Sequence, residues 1–157
     1  MKLVKKVIFG LFALLLVQNA YANAFDASVD VTSDVLEVEK LKGTAVFIGD
    51  VKALYKDVTL TSDRLKIVYD SSLETKNKIK VIIATGNVVL IQGTDKVTSE
   101  YAEYFVSSDE IVFKENVVLN RNGNILKGDH LTMNTVTKKA KMKSDKSKRV
   151  QAIYFQK

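Results

Sequence analysis

Few residues in this chain of 157 have types and spacing suited to chemistry. His130 is the single histidine, and there is no cysteine. A Ser-His-Asp relay would have one possible base, and a Cys- or His-based metal centre lacks a ligand set. Four carboxylates recur instead: Asp34, Asp63, Glu100 and Asp129, separated by 29, 37 and 29 residues. Such carboxylates could suggest Ca²⁺ binding, but they occur singly, without the dense oxygen-ligand loop that Ca²⁺ needs. Each follows a small residue (Ser33, Ser62, Ser99 and Gly128), which is the composition of a turn or bulge. His130 falls in a slot filled by Arg64 and Tyr101 in other repeats, so it reads as a surface or edge residue. No Gly-rich phosphate loop is present. The chain is therefore read as a non-enzyme, with no catalytic residue, metal or cofactor.

The elements around these acids repeat with them. At +2 and +4 stand Leu36/Val38, Leu65/Ile67, Ala102/Tyr104 and Leu131/Met133. A second set, Ala45/Phe47, Ile82/Ala84, Ile111/Phe113 and Ala140/Met142, is spaced 37, 29 and 29. A third is Gly49-Asp-Val51, Gly86-Asn-Val88 and Glu115-Asn-Val117. All offsets agree if one unit carries eight extra residues, which the polar segment Asp70–Lys78 supplies. Fixed-period similarity means stacked units, each too small to bury its own apolar face. Short alternating runs (Val29–Val31, Val51–Leu54, Val58–Leu60, Leu65–Ile67 and Val150–Phe155) make those units β-strands. Val58 and Leu60 share one parity while Leu65, Ile67 and Tyr69 share the other, so the chain turns a corner near Ser62-Asp63. The fold expected is all-β: an antiparallel jelly-roll built from stacked repeats of about 29 residues, its strands forming two facing sheets.

Composition narrows the setting. Apolar residues make up 46% and charged residues 27%, with no Cys, Pro or Trp. This length suits one domain with a real core, while the missing cysteines exclude a disulfide scaffold. Lys2, Lys5 and Lys6 precede the apolar run Val7–Val17, and Ala20-Tyr-Ala22 and Ala22-Asn-Ala24 follow. That is a signal peptide, residues 1–24, cleaved after Ala22 or Ala24, ahead of one domain over 25–157. The run is short of the ~20 apolar residues a spanning helix needs. The formal charge of +6 then shrinks to +3, since three lysines leave with the signal. Export, and the lack of interleaved aromatics, argue against a nucleic-acid partner. An exported chain without cysteine suits a bacterial periplasm.

Several segments together resemble the LptA/OstA-like lipopolysaccharide-transport proteins. They are Val31–Asp34, Val46–Val51, Ala84–Gln92, Phe113–Leu119, Leu126–Thr132 and Met142–Val150, which span about residues 27–150. The resemblance implies a twisted jelly-roll whose interior holds the acyl chains of lipid A. It also implies copies joined last strand to first strand, in a bridge between the inner and outer membranes. The implied partners are a membrane-anchored jelly-roll at the inner membrane and the N-terminal jelly-roll of the outer-membrane translocon.

The repeat columns supply the candidate lipid-lining residues: Leu36, Val38, Phe47, Leu65, Ile67, Tyr104, Phe113, Leu131 and Met133. The same columns would be plain core in any β-sandwich. Charge is segregated between the ends. Residues 26–39 hold five acids and no base, whereas 138–149 hold seven bases and one acid. Asp30, Asp34 and Glu37 are thus candidates for one oligomer edge, and Lys139, Lys141 and Lys143 for a short basic C-terminal edge. An acidic first edge and a basic last edge favour head-to-tail over head-to-head contact. Two alternatives stand beside a carrier: an inner-membrane component that keeps its N-terminal helix, and an envelope scaffold with no ligand.

Overall fold

A computed structural model describes residues 29–70 and 79–155. The signal segment and most of the Asp70–Lys78 insertion lie outside the described residues. Among the described residues ten strands form: β1 (Val29–Thr32), β2 (Val35–Glu39), β3 (Thr44–Tyr55), β4 (Val58–Tyr69), β5 (Ile79–Gln92), β6 (Asp95–Phe105), β7 (Glu110–Arg121), β8 (Asn124–Asn134), β9 (Ala140–Lys143) and β10 (Gln151–Ile153). Among the described residues the one helical turn is a 3₁₀ segment, Lys40–Lys42. All pairings are antiparallel.

The strands are longer than the short sequence runs. Val51–Leu54 belongs to a strand of 12 residues, and Val58–Leu60 and Leu65–Ile67 are two parts of another. Only the last run shortens, to Gln151–Ile153. Rather than two separate sheets, one sheet runs β1-β3-β4-β5-β6-β7-β8-β10, with β2 also on β3 and β9 also on β8. Tight turns join neighbours, the clearest at Asn122-Gly123, where both residues have positive φ (52° and 84°). That pair is the preferred two-residue hairpin loop, because its backbone twist matches that of the strands.

What turns one sheet into a jelly-roll is a row of bulges. The register shifts at Ile48/Val51 on β3, Thr85/Val88 on β5 and Lys114/Val117 on β7. Each shift comes from one extra residue, and each contains two consecutive positive-φ residues: Gly49-Asp50, Gly86-Asn87 and Glu115-Asn116. An extra residue bends and twists its strand. On β4 the inward parity changes across the same row, from Leu60 and Ser62 to Leu65 and Ile67, where Ser62 Oγ donates to the Arg64 carbonyl. The corner expected near Ser62-Asp63 is this crease, crossed without leaving the strand. Both halves of the sheet thereby give their apolar faces to one core, which joins Val51, Val88, Val97, Val117 and Leu119 from one half with Leu65, Ala84, Ala102, Phe113 and Leu131 from the other. Burying a Val, Leu or Phe side chain of this kind contributes about 1.5–3 kcal/mol.

Candidate functional site

Directly opposed residues in an antiparallel ladder share a face, so the register converts sequence offsets into rows across the sheet. One row reads Leu36, Phe47, Leu65, Ala84, Ala102, Phe113, Leu131 and Met142. The next reads Val38, Ala45, Ile67, Ile82, Tyr104, Ile111, Met133 and Ala140. These are the repeat columns, now physically contiguous from β2 to β9. Beyond the crease a third row runs Val31, Ala53, Leu60, Leu90, Val97, Leu119, Leu126 and Ala152. Sequence reasoning overlooked this row as interior lining. Its signal was available, because Val31, Leu60, Val97 and Leu126 each stand three residues before a repeat carboxylate.

The expected lining residues separate by position along these rows. Leu65, Ile67, Phe113 and Leu131 are buried, and Phe47 and Met133 pack against them. Tyr104 is half-buried; its hydroxyl lies 3.3 Å from Asp109, and burial first, then that carboxylate, raises its pKa. Leu36 and Val38 are each 52% exposed. They lie on the interior face, but among the described residues no strand lies beyond β2 to cover them. The interior is closed by its own side chains in the middle and open at the β2 end.

The repeat acids serve the crease. Asp34 and Asp63 lie against Gly49 and Gly86, in the space a side chain there would occupy. Asn87 Nδ2 also donates to Asp63 (3.0 Å). Asp129 accepts from the Asp145 backbone N–H (2.9 Å) and from Lys148 Nζ (3.0 Å), which hold its carboxyl below the ordinary value. Ser144-Asp145 thus stands where Gly49-Asp50 and Gly86-Asn87 stand in earlier repeats. The third unit differs, with Glu115 at φ 66° in the glycine slot and Glu100 as its acid. Asp34 therefore braces its own chain at the crease as well as lying at an edge. Among the described residues no group of three or more His, Asp or Glu side chains could hold a metal ion. His130 is partly exposed, with Nε2 3.2 Å from Asp145.

Outward-facing residues form a different surface. Tyr101 sits beside Glu103 (3.0 Å) with Lys114 Nζ 4.8 Å from its ring, and its pKa is pushed up to about 12, by burial first and then by Glu103. Toward β9 the outer face becomes a groove of about 490 Å³, lined by Glu110, Val112, His130, Thr132, Asn134, Lys139, Lys141 and Lys143. The expected basic residues thus gather in one place. Asp30 and Glu37 lie on β1 and β2, at the opposite edge of the sheet from β9.

A single creased antiparallel sheet, apolar within and, among the described residues, unpaired at both edges, defines the class: an open β-jelly-roll. The family described as "LptA/(LptD N-terminal domain) LPS transport protein" matches residues 30–139, so the chain belongs to that family, one of transport proteins rather than enzymes. An uncharacterized protein of Rickettsia prowazekii (strain Madrid E) is 27% identical over 114 residues, covering 71% of this chain and 78% of that protein. Another, from Rhizobium meliloti (strain 1021), is 27% identical over 122 residues, covering 74% and 66%. In fold the chain is similar to LptH, the LptA-homologous periplasmic component of the lipopolysaccharide transport device of Pseudomonas aeruginosa. The TM-score is 0.73 at 17% identity, covering 83% of this chain and 97% of that one.

Proposed function

We propose that this protein is a periplasmic lipopolysaccharide carrier that shields the acyl chains of lipid A and assembles head to tail. In that assembly it links an inner-membrane-anchored jelly-roll to the N-terminal jelly-roll of an outer-membrane translocon. The observation that carries the reading is the run of apolar rows from one free edge of the sheet to the other, with Leu36 and Val38 uncovered at one end. A lipid crossing water must hide its hydrocarbon. At about 0.8 kcal/mol per CH₂, exposing a chain of ten or so methylenes costs roughly 8 kcal/mol. Apolar rows shared by stacked copies offset that cost at every position along the path, so a lipid slides between near-equivalent sites. The drive for net movement comes from partners.

Complete burial of Phe113 favours a second reading, a scaffold with no ligand. Photoreactive residues separate the two. Placed at Phe47 and Tyr104, on the interior face, they should crosslink to lipopolysaccharide, whereas Lys66 and Val112, on the outer face, should not. Equal yields on both faces, or none on either, would sink the carrier reading. Among the described residues no helix is long and apolar enough to cross a membrane. N-terminal sequencing of the exported protein distinguishes a cleaved leader from a retained anchor, which would begin at Met1.

A further inference from the structure

The repeat does more than shape one chain, because its last strand ends where another repeat would begin. β2, β4, β6 and β8 each open a unit, and β3, β5, β7 and β9 close one. The joints between successive units pair Phe47 with Leu65, Ala84 with Ala102, and Phe113 with Leu131. In every case a residue two before the bulge site meets a residue two after the repeat acid. Among the described residues β9 has β8 on one side only, so its closing residue, Met142, has no such partner beyond it. Among the same residues β2 lies on β3 alone, so its opening residue, Leu36, also has none.

We propose that the β9 edge receives the β2 edge of a second copy in this same register. Met142 is then set against Leu36, Ala140 against Val38 and Lys141 against Glu37 of that copy. The inference rests on the head-to-tail reading above and specifies which residues meet within it.

Three independent features converge on this register. Apolar residues meet apolar residues: Leu36 and Val38, each 52% exposed, continue the two interior rows that end at Met142 and Ala140. On the outer face opposite charges meet. Lys141 lines the basic groove, and neither it nor Glu37 has an ion-pair partner among the described residues. A shift by two residues would place Lys141 opposite Val35 in one direction; in the other it would keep Lys141 opposite an acid, Glu39, but set Leu36 against Ser144. A shift by one would turn Leu36 and Val38 to the outer face. Finally, the free edge carries Ser144 Oγ, the one buried side-chain polar atom without a hydrogen-bond partner among the described residues. It stands at the crease position that Gly49 and Gly86 hold in earlier repeats. An unpaired edge normally invites uncontrolled pairing; here pattern and charge admit one partner in one alignment.

The absence of cysteine makes the test clean in the full chain. Chains bearing Lys141→Cys are mixed with chains bearing Glu37→Cys and mildly oxidised. This pair should form the disulfide-linked dimer several-fold faster than Lys141→Cys with Val35→Cys. Separately, Glu37→Lys and Lys141→Glu should each weaken self-association roughly five- to tenfold. Both changes together in one chain should restore it, since the opposed charges are merely exchanged. Circular dichroism confirms that each variant is folded. Head-to-tail oligomers that crosslink best at the offset pair, or equally at both, would overturn the register and leave the head-to-tail reading standing. A chain that stays monomeric by light scattering at every concentration would overturn that reading itself.

Discussion

The Asp63 carboxylate occupies the space that a side chain on Gly86 would need. Gly86 also has φ +76°, where an L side chain is strained. Two separate costs therefore protect this glycine, and the same two protect Gly49 beside Asp34. The crease depends on that contact, because the bulge that bends β5 is braced by an acid on the adjacent strand β4.

Replacing Gly86 with Ala should lower the unfolding free energy by about 2 kcal/mol or more, the left-handed backbone accounting for ~1 kcal/mol. Gly93→Ala is the comparison. It has φ +57° but nothing within 4 Å of an added Cβ, so it should lose only the backbone part. Urea denaturation of both variants measures the difference. Equal losses would show that Asp63 yields freely.

Acid should unfold the protein partly through Asp129. Its carboxyl is held below the ordinary value of 3.8, first by the Asp145 backbone N–H and then by Lys148. Binding partners favour the charged form, so the stabilisation is complete above the ordinary carboxylate value. It is lost as pH falls through the lower native value. Lys148 is raised from 10.5, first by its hydrogen bond to Asp129, so its share is complete below that value and is lost as pH rises through the native one. Melting temperature should therefore fall more steeply below about pH 4 in the natural protein than in Asp129→Asn. Parallel curves would remove Asp129 from the account.

Phe113 lies between Ala102 and Leu131 in its row and is fully buried. Truncation to Ala should cost about 3–5 kcal/mol, combining lost transfer energy with the cavity left behind. Val136, 68% exposed in the β8–β9 turn, should change stability by no more than about 0.5 kcal/mol when cut to Ala. Urea midpoints at matched slope give both values. A small loss at Phe113 would mean that the interior collapses to fill the gap, which a lipid-admitting interior would also do.

Local pattern determined a large part of this protein. Successive side chains of a strand point to opposite faces, so alternation at Leu65/Ile67 or Ile111/Phe113 already names the inward residues. The constant offset from the repeat acids names their cross-strand neighbours. The same reasoning extends to the row through Leu60, Val97 and Leu126 and to the hairpin at Asn122-Gly123, both written in the sequence although harder to notice. Tertiary structure decided the rest. Whether an inward residue is buried depends on a strand beyond it, which is why Leu65 is 2% exposed and Leu36, in the same row, is 52% exposed. The fate of an acid depends on what the bulge brings beside it: Asp34 meets Gly49, whereas Glu37 has no ion-pair partner among the described residues. Alternation is a property of neighbours along the chain. Burial, bracing and free edges are properties of neighbours in space, and only the folded sheet assigns those.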